Sequence, residues 1–412
     1  MNFEYFIAKR IIDSKAYKSS ISAPIIKIGI AAIAIGIIVM MIAIATGIGL
    51  QQKIRDKVVA FNGHVIISNF DNNNSQQSER PITTKQDFYP EFKTVEGVKH
   101  VQGVATKAGI VRDEDDFEYA ILKGVGADYD WDYFKEYLIE GKLPDYSKER
   151  NQDALVSRYL ANRMQLKVGE TFNMYFIKED LNKPPSIIQY TIAGIYDSGF
   201  KEFDELYFVG DIRHIQRLNK WEDDEVGGFE VFIDNYDELD QKGIEIFQNT
   251  PSLLDSQTVT QKYATIFEWI SIFDKNTYGI IGIMIIVAGI NMITALLVLI
   301  LERTQMIGIL KALGSSSLSI RKIFIYNAVY LILLGLFWGN VIGLGFLFAQ
   351  KQFEFLKFPN PEQYYMKIIP VHISLDYIIA LNVGTFILCL LMLLIPSYII
   401  TRISPVKAIR FE

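Results

Sequence analysis

The sequence predicts an integral membrane α-helical protein: four transmembrane helices, with a large α+β extracytoplasmic domain of two lobes inserted between helices 1 and 2. Three observations carry that expectation. Four runs are apolar over the roughly 20 residues that a bilayer crossing requires. The short segments beside them are rich in Lys and Arg. A long polar insert, residues 51–276, separates the first run from the other three. A mean hydropathy of +0.18 with 13% aromatic residues fits membrane segments joined to a folded soluble part and excludes a disordered chain. The single cysteine, Cys389, rules out an intramolecular disulfide framework and reads as a small buried hydrophobe.

Residues 1–23 form an N-terminal interfacial segment, and helix 1 covers 24–50 with Lys27 as its only charge. This run is too long for a signal-peptide core and lacks a small-x-small cleavage site, so it is expected to be a retained anchor. Helix 2 (277–301), helix 3 (323–350) and helix 4 (377–400) follow, with no Asp, Glu, Lys, Arg or His inside them. An ion-coupled carrier or a proton relay would need such groups within the spans. Lys9, Arg10, Lys15, Lys18 and Lys27 near the N-terminus place that end in the cytoplasm. Arg303, Lys311, Arg321 and Lys322 do the same for segment 302–322, and Arg402, Lys407 and Arg410 for the tail 401–412. Domain 51–276 and the charge-balanced loop 351–376 then lie outside. The chain's formal net charge is −6, and since the cytoplasmic pieces are net positive the external part is more acidic still, which argues against a nucleic-acid partner.

In the external domain, "LQQKIRDKV" after helix 1 reads as a helical stalk, and residues 258–276 as its counterpart before helix 2. "GHVIISN" (63–69), "EYAILKGV" (118–125), "TFNMYFI" (171–177) and "IIQYTIAGIY" (187–196) read as strands, rich in β-branched and aromatic residues. Residues 82–111 are expected to form a helix, a turn and one or two strands, and 153–170 a helix ended by Gly169. Segment 229–249 is expected to be a strand followed by a helix. "DNNNSQQSE" (71–79) is a polar loop.

No P-loop, H-E-x-x-H, C-x-x-C or G-x-S-x-G motif occurs, so the chain has no ATP site of that kind and no recognisable catalytic constellation. His64, His100, His214 and His372 are scattered without metal-ligand spacing and are expected at the surface or at strand ends; no metal site is expected. "RDEDDFE" (112–118) lacks the spacing and glycine of a calcium loop. In helix 3, Gly335, Gly339 and Gly343 form a stripe at i, i+4 and i+8, suited to close helix packing in lipid. The partner of the stripe is expected to be span two or four of the same chain, or another subunit.

Segment 302–322 is richer than a turn requires. Met306, Ile309, Leu310 and Leu313 fall on one face of a short helix, Gly314 is a stop, and Ser317 is placed to cap the next helix. Such a helix either anchors the loop at the membrane interface or docks a cytosolic motor. "ERTQMIGILKALGSSSLSIRKIF" resembles the segment between spans two and three of four-span ABC permeases, the family of macrolide-exporter-type, division-linked and lipoprotein-releasing permeases. The family pattern maps onto Glu302, Arg303, Ile307, Gly308, Ile309, Leu310, Ala312, Leu313 and Gly314. The resemblance implies that this helix, with Met306 and Lys311, is a coupling helix seated in a separate ATPase subunit. No cofactor would then belong to this chain, ATP and Mg being held by the partner. The ending "SPVKAIRFE" and the one-plus-three arrangement of spans also resemble the family.

"GLQQKIRDKVVAFNGHVIIS" (49–68) and "EGVKHVQGV" (96–104) are similar to the lipoprotein-releasing branch. That branch implies an ATPase dimer, a second permease copy or relative, a periplasmic lipoprotein carrier and a lipid-anchored cargo. It also implies a carrier-binding hook at the position of "KEDLNKPPS" (178–186), which makes Lys183, Pro184 and Pro185 the candidates, against an ordinary hairpin turn. Lipid release would need an apolar groove. Met40, Met41, Ile44 and Ile48 of helix 1, opposite Ile280, Ile283, Met284 and Val287 of helix 2, are its candidates, against ordinary lipid-facing residues. An exporter of peptides or drugs with the same fold, and a signal transmitter controlling a periplasmic cell-wall hydrolase, remain alternatives; the large insert weighs against the transmitter.

Overall fold

A computed structural model describes residues 3–13, 22–72, 75–112, 116–178, 182–361, 364 and 366–402. The helices among these are α1 (Phe3–Asp13), α2 (Ser22–Asn62), α3 (Arg158–Arg163), α4 (Lys201–Asp204), α5 (Arg213–Asn219), α6 (Leu239–Asn249), α7 (Val259–Lys262), α8 (Ala264–Glu302), α9 (Thr304–Ala312), α10 (Ser317–Phe353), α11 (Leu375–Ser397) and α12 (Ile399–Arg402). The chain divides into two compact units, 1–51 with 269–356 and 369–412, and 52–268 with 357–368.

The first unit holds the spans. Four helices are long and apolar enough to cross a membrane, at Ile26–Asn62, Ala264–Glu302, Ser317–Phe353 and Leu375–Thr401. At about 1.5 Å per residue, α2 and α8 each run close to 60 Å, about twice the hydrocarbon thickness, so both continue as stalks. The glycine stripe of α10 packs within the chain, but against span one and not against span two or four. A Cβ on Gly335 would meet Ile33 at 2.7 Å, one on Gly339 would meet Ile37 at 2.8 Å, and one on Gly343 would meet Met41 at 3.2 Å. The expectation missed this because Ile33, Ile37 and Met41 are bulky, and the partner of a glycine groove is a ridge rather than another groove. Span two meets span one through Gly29 against Ala295, and span four through Gly289 against Met392. Cys389 is buried in the same core as Ile37, Met292, Phe324 and Leu393.

The second unit is built on twelve strands among the described residues. β1 (Val65–Asn69), β3 (Val98–Arg112), β4 (Phe117–Val125), β5 (Leu138–Gly141), β6 (Asp153–Ser157), β7 (Thr171–Phe176), β8 (Ser186–Tyr196), β9 (Tyr207–Asp211), β11 (Gly228–Ile233) and β12 (Leu254–Thr258) share one sheet, while β2 (Ile82–Thr83) pairs with β10 (Glu225–Val226). The path β3–β4–β9–β6–β8–β7 closes back on β3, making a ring of strands with β5 appended to β8. The other part is a wing, β11–β1–β12, which leaves β3 along 98–104. The two lobes are therefore a ring and a wing sharing the 15-residue strand β3. β7 alternates buried Phe172, Met174 and Phe176 with outward residues, as a strand covered on one face does.

Several sequence expectations fail in this unit. No helix forms between residues 82 and 97. Phe88 and Phe92 stand four apart, which imitates a helical face, but both rings are buried, Phe88 edge-on against Phe229 and Phe92 stacked on Phe88, and Pro90 between them cannot donate to a helix ladder. Segment 153–170 begins as a strand, β6, whose Ala154, Leu155 and Val156 are buried in a parallel pairing with β8. Only Arg158–Arg163 is helical, capped by Ser157, whose Oγ accepts from Leu160 N, and Gly169 lies at φ +89° in the following turn. His64 stands at a strand end, directly before β1, as expected, but is buried; His214 is buried within α5, neither at the surface nor at a strand end. Ile233 N donates to His64 Nδ1 at 3.3 Å, and burial pushes that imidazole down to about 4. Part of the external loop, 357–368, folds with this unit, where Lys367 Nζ lies 3.5 Å from Asp197.

Candidate functional site

Helix α9, between the second and third spans, is two-sided. α8 ends at Glu302, and Arg303, at φ −101°, breaks the chain into α9. Ile307 and Gly308 are buried, and Met306 and Leu310 pack on the core of the span bundle. Ile309 and Leu313 point away, 48% and 78% exposed, beside exposed Glu302, Gln305 and Ala312. The four apolar residues expected on one face thus split between a seat in the bundle and an outward patch. The sequence could not separate them, because both halves lie on one apolar stripe of about two turns, and the stripe does not say how far around the helix the bundle reaches. Gly314, at φ +89°, ends the helix as expected, with Ser315 N donating to Leu310 O at 3.0 Å. The cap of α10 is Ser316 rather than Ser317: its Oγ accepts from Ser319 N.

Three contacts stiffen the seat. Lys311 Nζ donates to the carbonyls of Ile400 (2.7 Å) and Thr401 (3.3 Å), so this lysine closes the end of span four and does not join the outward patch. Arg321 donates through Nη2 to Ser397 Oγ at 3.1 Å. Helix α1 lies on the start of α10, with Ala8 and Ile7 against Ile323, Met306 and Leu310, and Ser319 Oγ donating to Glu4 at 2.6 Å.

The groove candidates do not form one surface of this chain. Met40 and Met41 are buried in the bundle core, with Ile44 and Met284 packed against it, while Ile280, Ile283 and Val287 are exposed on span two. Ile48 is half-buried. The physical reason is that Met41 packs on Gly343, so it fills the close helix packing that the glycines create, while Met40 belongs to the same buried core. In the hook candidate, residues 179–181 lie outside the described residues; Lys183, Pro184 and Pro185 are exposed between β7 and β8, beside exposed Ile177 and Ile187. The acidic segment 113–115 and the C-terminal "SPVKAIRFE" also lie outside the described residues. No cluster of His, Cys, Asp or Glu able to hold a metal occurs among the described residues.

Residues 28–240, more than half of the chain, match the family model of the MacB-like periplasmic core domain, and residues 278–405 match that of the FtsX-like permease C-terminal. The chain is a member of the four-span ABC permease family. Its relatives include the lipoprotein-releasing system transmembrane protein LolC of Haemophilus influenzae, 21% identical and aligned over 92% of each chain. LolC of Neisseria meningitidis is 21% identical over 100% of each chain, and LolE of H. influenzae is 18% identical over 99% of each. Among solved structures, the periplasmic region of MacB from Actinobacillus actinomycetemcomitans is similar at 14% identity and a TM-score of 0.34, covering 50% of this chain and 95% of that one. The extracellular domain of the transporter YknZ from Gram-positive bacteria is similar at 12% identity and a TM-score of 0.32, covering 47% and 99%. The permease is a multi-pass inner-membrane protein with its large domain on the periplasmic side.

In the permease's periplasmic domain, the stalk end of α2 is wired into the sheet. Phe61 is buried in an aromatic cluster, stacked on Phe203 at 4.7 Å and tilted on Phe134 at 4.9 Å. Its carbonyl, at the negative end of the helix, accepts from the ammonium of Lys123. Lys123 also pairs with Glu230 at 2.6 Å, and Gln102 Nε2 donates to the other oxygen of Glu230 at 2.8 Å. Tyr263, just before α8, donates to Asn62 at 2.7 Å, so the two stalks are joined where they enter the sheet. Sequence reasoning passed over this network. Its only signal was Lys123 inside the apolar strand "EYAILKGV", a charge that has to be paired if that strand is buried.

Proposed function

We propose that this permease is the membrane subunit of an ABC transporter that releases lipoproteins from the inner membrane to a periplasmic carrier, driven by ATP hydrolysis in a separate cytosolic ATPase dimer. The observation that carries the reading is the two-sided helix α9: Ile309 and Leu313 are exposed, while Met306, Ile307 and Leu310 are rooted in the span bundle. A helix seated this way passes a push on its outer face to the spans without being dislodged. Full-length relatives named for lipoprotein release support the branch.

Closure of the ATPase dimer pushes α9, the bundle moves, and α2 and α8 carry the motion into the periplasmic sheet at Phe61 and Tyr263. Four spans make half of a path, so a second permease chain completes it. Extracting a lipid anchor is costly, because each buried CH₂ is worth ~0.8 kcal/mol and three long chains total some tens of kcal/mol. The cargo therefore needs an apolar route, for which the outward Ile280, Ile283 and Val287 are suited, and an apolar carrier, which the exposed 183–185 turn would receive.

Depletion of the permease followed by membrane fractionation tests the cargo: lipoproteins accumulate in the inner membrane if the reading holds, and an unchanged distribution overturns it. Docking is tested by Ile309→Asp with Leu313→Asp. The pair is expected to abolish copurification with the ATPase while leaving the permease in the membrane, and retained copurification removes α9 from that role. Gly308 and Leu310 are unsuitable for this test because they face the bundle.

A further inference from the structure

Helix α1 turns an aromatic and cationic face away from the bundle. Phe3 (50% exposed), Tyr5 (57% exposed) and Phe6 stand out of the surface, as do Lys9 and Arg10. At about 3.6 residues per turn these five fall within one half of the helix, in the order Tyr5, Lys9, Phe6, Arg10, Phe3, so cations alternate with rings. The other half is the packed one, with Ala8, Ile7 and the Glu4 that accepts from Ser319. The Arg10 guanidinium lies 6.0 Å from the centre of the Phe6 ring, and Tyr5 meets Tyr326 of α10 edge-on at 6.0 Å. Neither Lys9 nor Arg10 makes an ion pair among the described residues. A third exposed cation, Lys322, stands three residues beyond Ser319 on α10.

Three bare rings on a helix of 11 residues are poorly placed in water. They suit the headgroup level of a bilayer, where an aromatic body meets acyl carbons and its edge meets water. Exposed Tyr326 and Tyr330 of α10 suit the same level. The order of the chain agrees: α1 precedes span one and the periplasmic domain follows it, so α1 belongs at the cytoplasmic leaflet. Rings alone would accept any lipid. The two uncompensated cations set between them select for phosphate, and the cytoplasmic leaflet is where anionic headgroups attract basic segments. The planar guanidinium of Arg10 adds a fork that matches phosphate oxygens.

We propose that the outer face of α1 binds the headgroups of anionic phospholipids in the cytoplasmic leaflet. Lys9 and Arg10 hold the phosphate, while Phe3, Tyr5 and Phe6 sit among the glycerol and the upper acyl carbons. The packed side of α1 touches Met306 and Leu310, the residues that root α9, so a lipid held on the outer side steadies that seat from the membrane. The inference goes beyond lipoprotein release and needs neither cargo nor carrier.

The test places a photoreactive ring at the site, Phe6→p-benzoylphenylalanine, in the full-length permease. The chain is reconstituted in phosphatidylcholine vesicles that contain a minority of phosphatidylglycerol. On illumination the adducts should hold phosphatidylglycerol at roughly five- to thirtyfold above its share of the vesicle, the effect of one to two cations at a charged surface. The same probe at Phe337, exposed on span three, should follow the vesicle composition. Lys9→Gln with Arg10→Gln should bring the Phe6 adducts down to that composition, and Lys9→Arg should keep the enrichment. The Phe337 probe in the double variant still labels lipid, which shows that the chain is inserted. Inorganic phosphate should remove no more of the enrichment than chloride at the same ionic strength; a specific loss marks a site for the free ion and overturns the lipid. Phe6 adducts that follow composition, or an enrichment that survives the double variant, overturn the proposal. So does a Phe6 probe that captures only protein in the cell's own membrane. These readouts report lipid contact and not transport, so an unaltered lipoprotein distribution on depletion would refute the cargo reading and leave this one standing.

Discussion

In the membrane unit neutral amides carry the polar packing: half-buried Asn340 pairs with Asn382, buried Gln350 bonds Leu356 and Ile369, and Gly335 and Gly339 pack closely on Ile33 and Ile37. In the periplasmic unit a full ion pair, Lys123–Glu230, is buried and wired to Gln102 and to the end of a stalk. The contrast follows from the medium. In lipid, apolar side chains gain little by leaving their surroundings, so association depends on shape and on amide bonds. In water, the sheet is formed by burial of apolar surface, and its interior then tolerates a charge pair only where every partner is supplied.

The largest expected effect breaks the periplasmic side of that comparison. Lys123→Ala leaves Glu230 buried without its cation and should cost about 3–5 kcal/mol, whereas Lys123→Met with Glu230→Leu should recover most of it. Denaturant unfolding followed by Trp131 fluorescence reads both, and equal losses would mean that the pair acts only by its volume. If the network also transmits force, the double variant hydrolyses ATP without releasing cargo.

Next in size is a pH effect that only the water-facing unit should show. The neutral form of His64 is favoured in the fold, its value lying at about 4 against an ordinary 6.5. Its contribution is complete above pH 6.5 and is lost as pH falls toward 4, about 3 kcal/mol in all. His64→Asn keeps an acceptor for Ile233 N and should flatten that part of the stability profile. An unchanged profile would place the acid sensitivity elsewhere.

On the membrane side, Gly339→Leu forces a side chain onto Ile37 and the carbonyl of Ala34 and should cost about 1–3 kcal/mol. Gly345→Leu meets open space and should be near neutral. Thermal unfolding in detergent separates them, and similar losses would show that helix propensity, not packing, governs both. The smallest effect is expected for Asn340→Leu, roughly 0.6–2 kcal/mol, with Asn340→Leu/Asn382→Leu recovering part of it. A double variant worse than either single change would mean that these amides hold more than each other.

Elements with a strong local period were legible before the structure. The spans, the stalks, β4, β7, β8 and the short helix with its Gly314 stop all stand where the sequence put them, because length, alternation or a 3.6-residue period marks each. β6 was hidden, since a buried parallel strand shows an apolar run without alternation and merges with the helix after it. Phe88 and Phe92 misled for the converse reason, keeping a helical spacing while serving the core of a sheet.

Hydropathy by itself marks the four helices that are long and apolar enough to cross a membrane, because the cost of transfer into lipid is a property of residues one at a time. Which helix fills the glycine stripe, which half of the α9 face points outward, and where Lys123 and Lys311 find their partners were decided only in three dimensions. Each of those depends on what stands opposite a residue, and distant parts of the chain supply it.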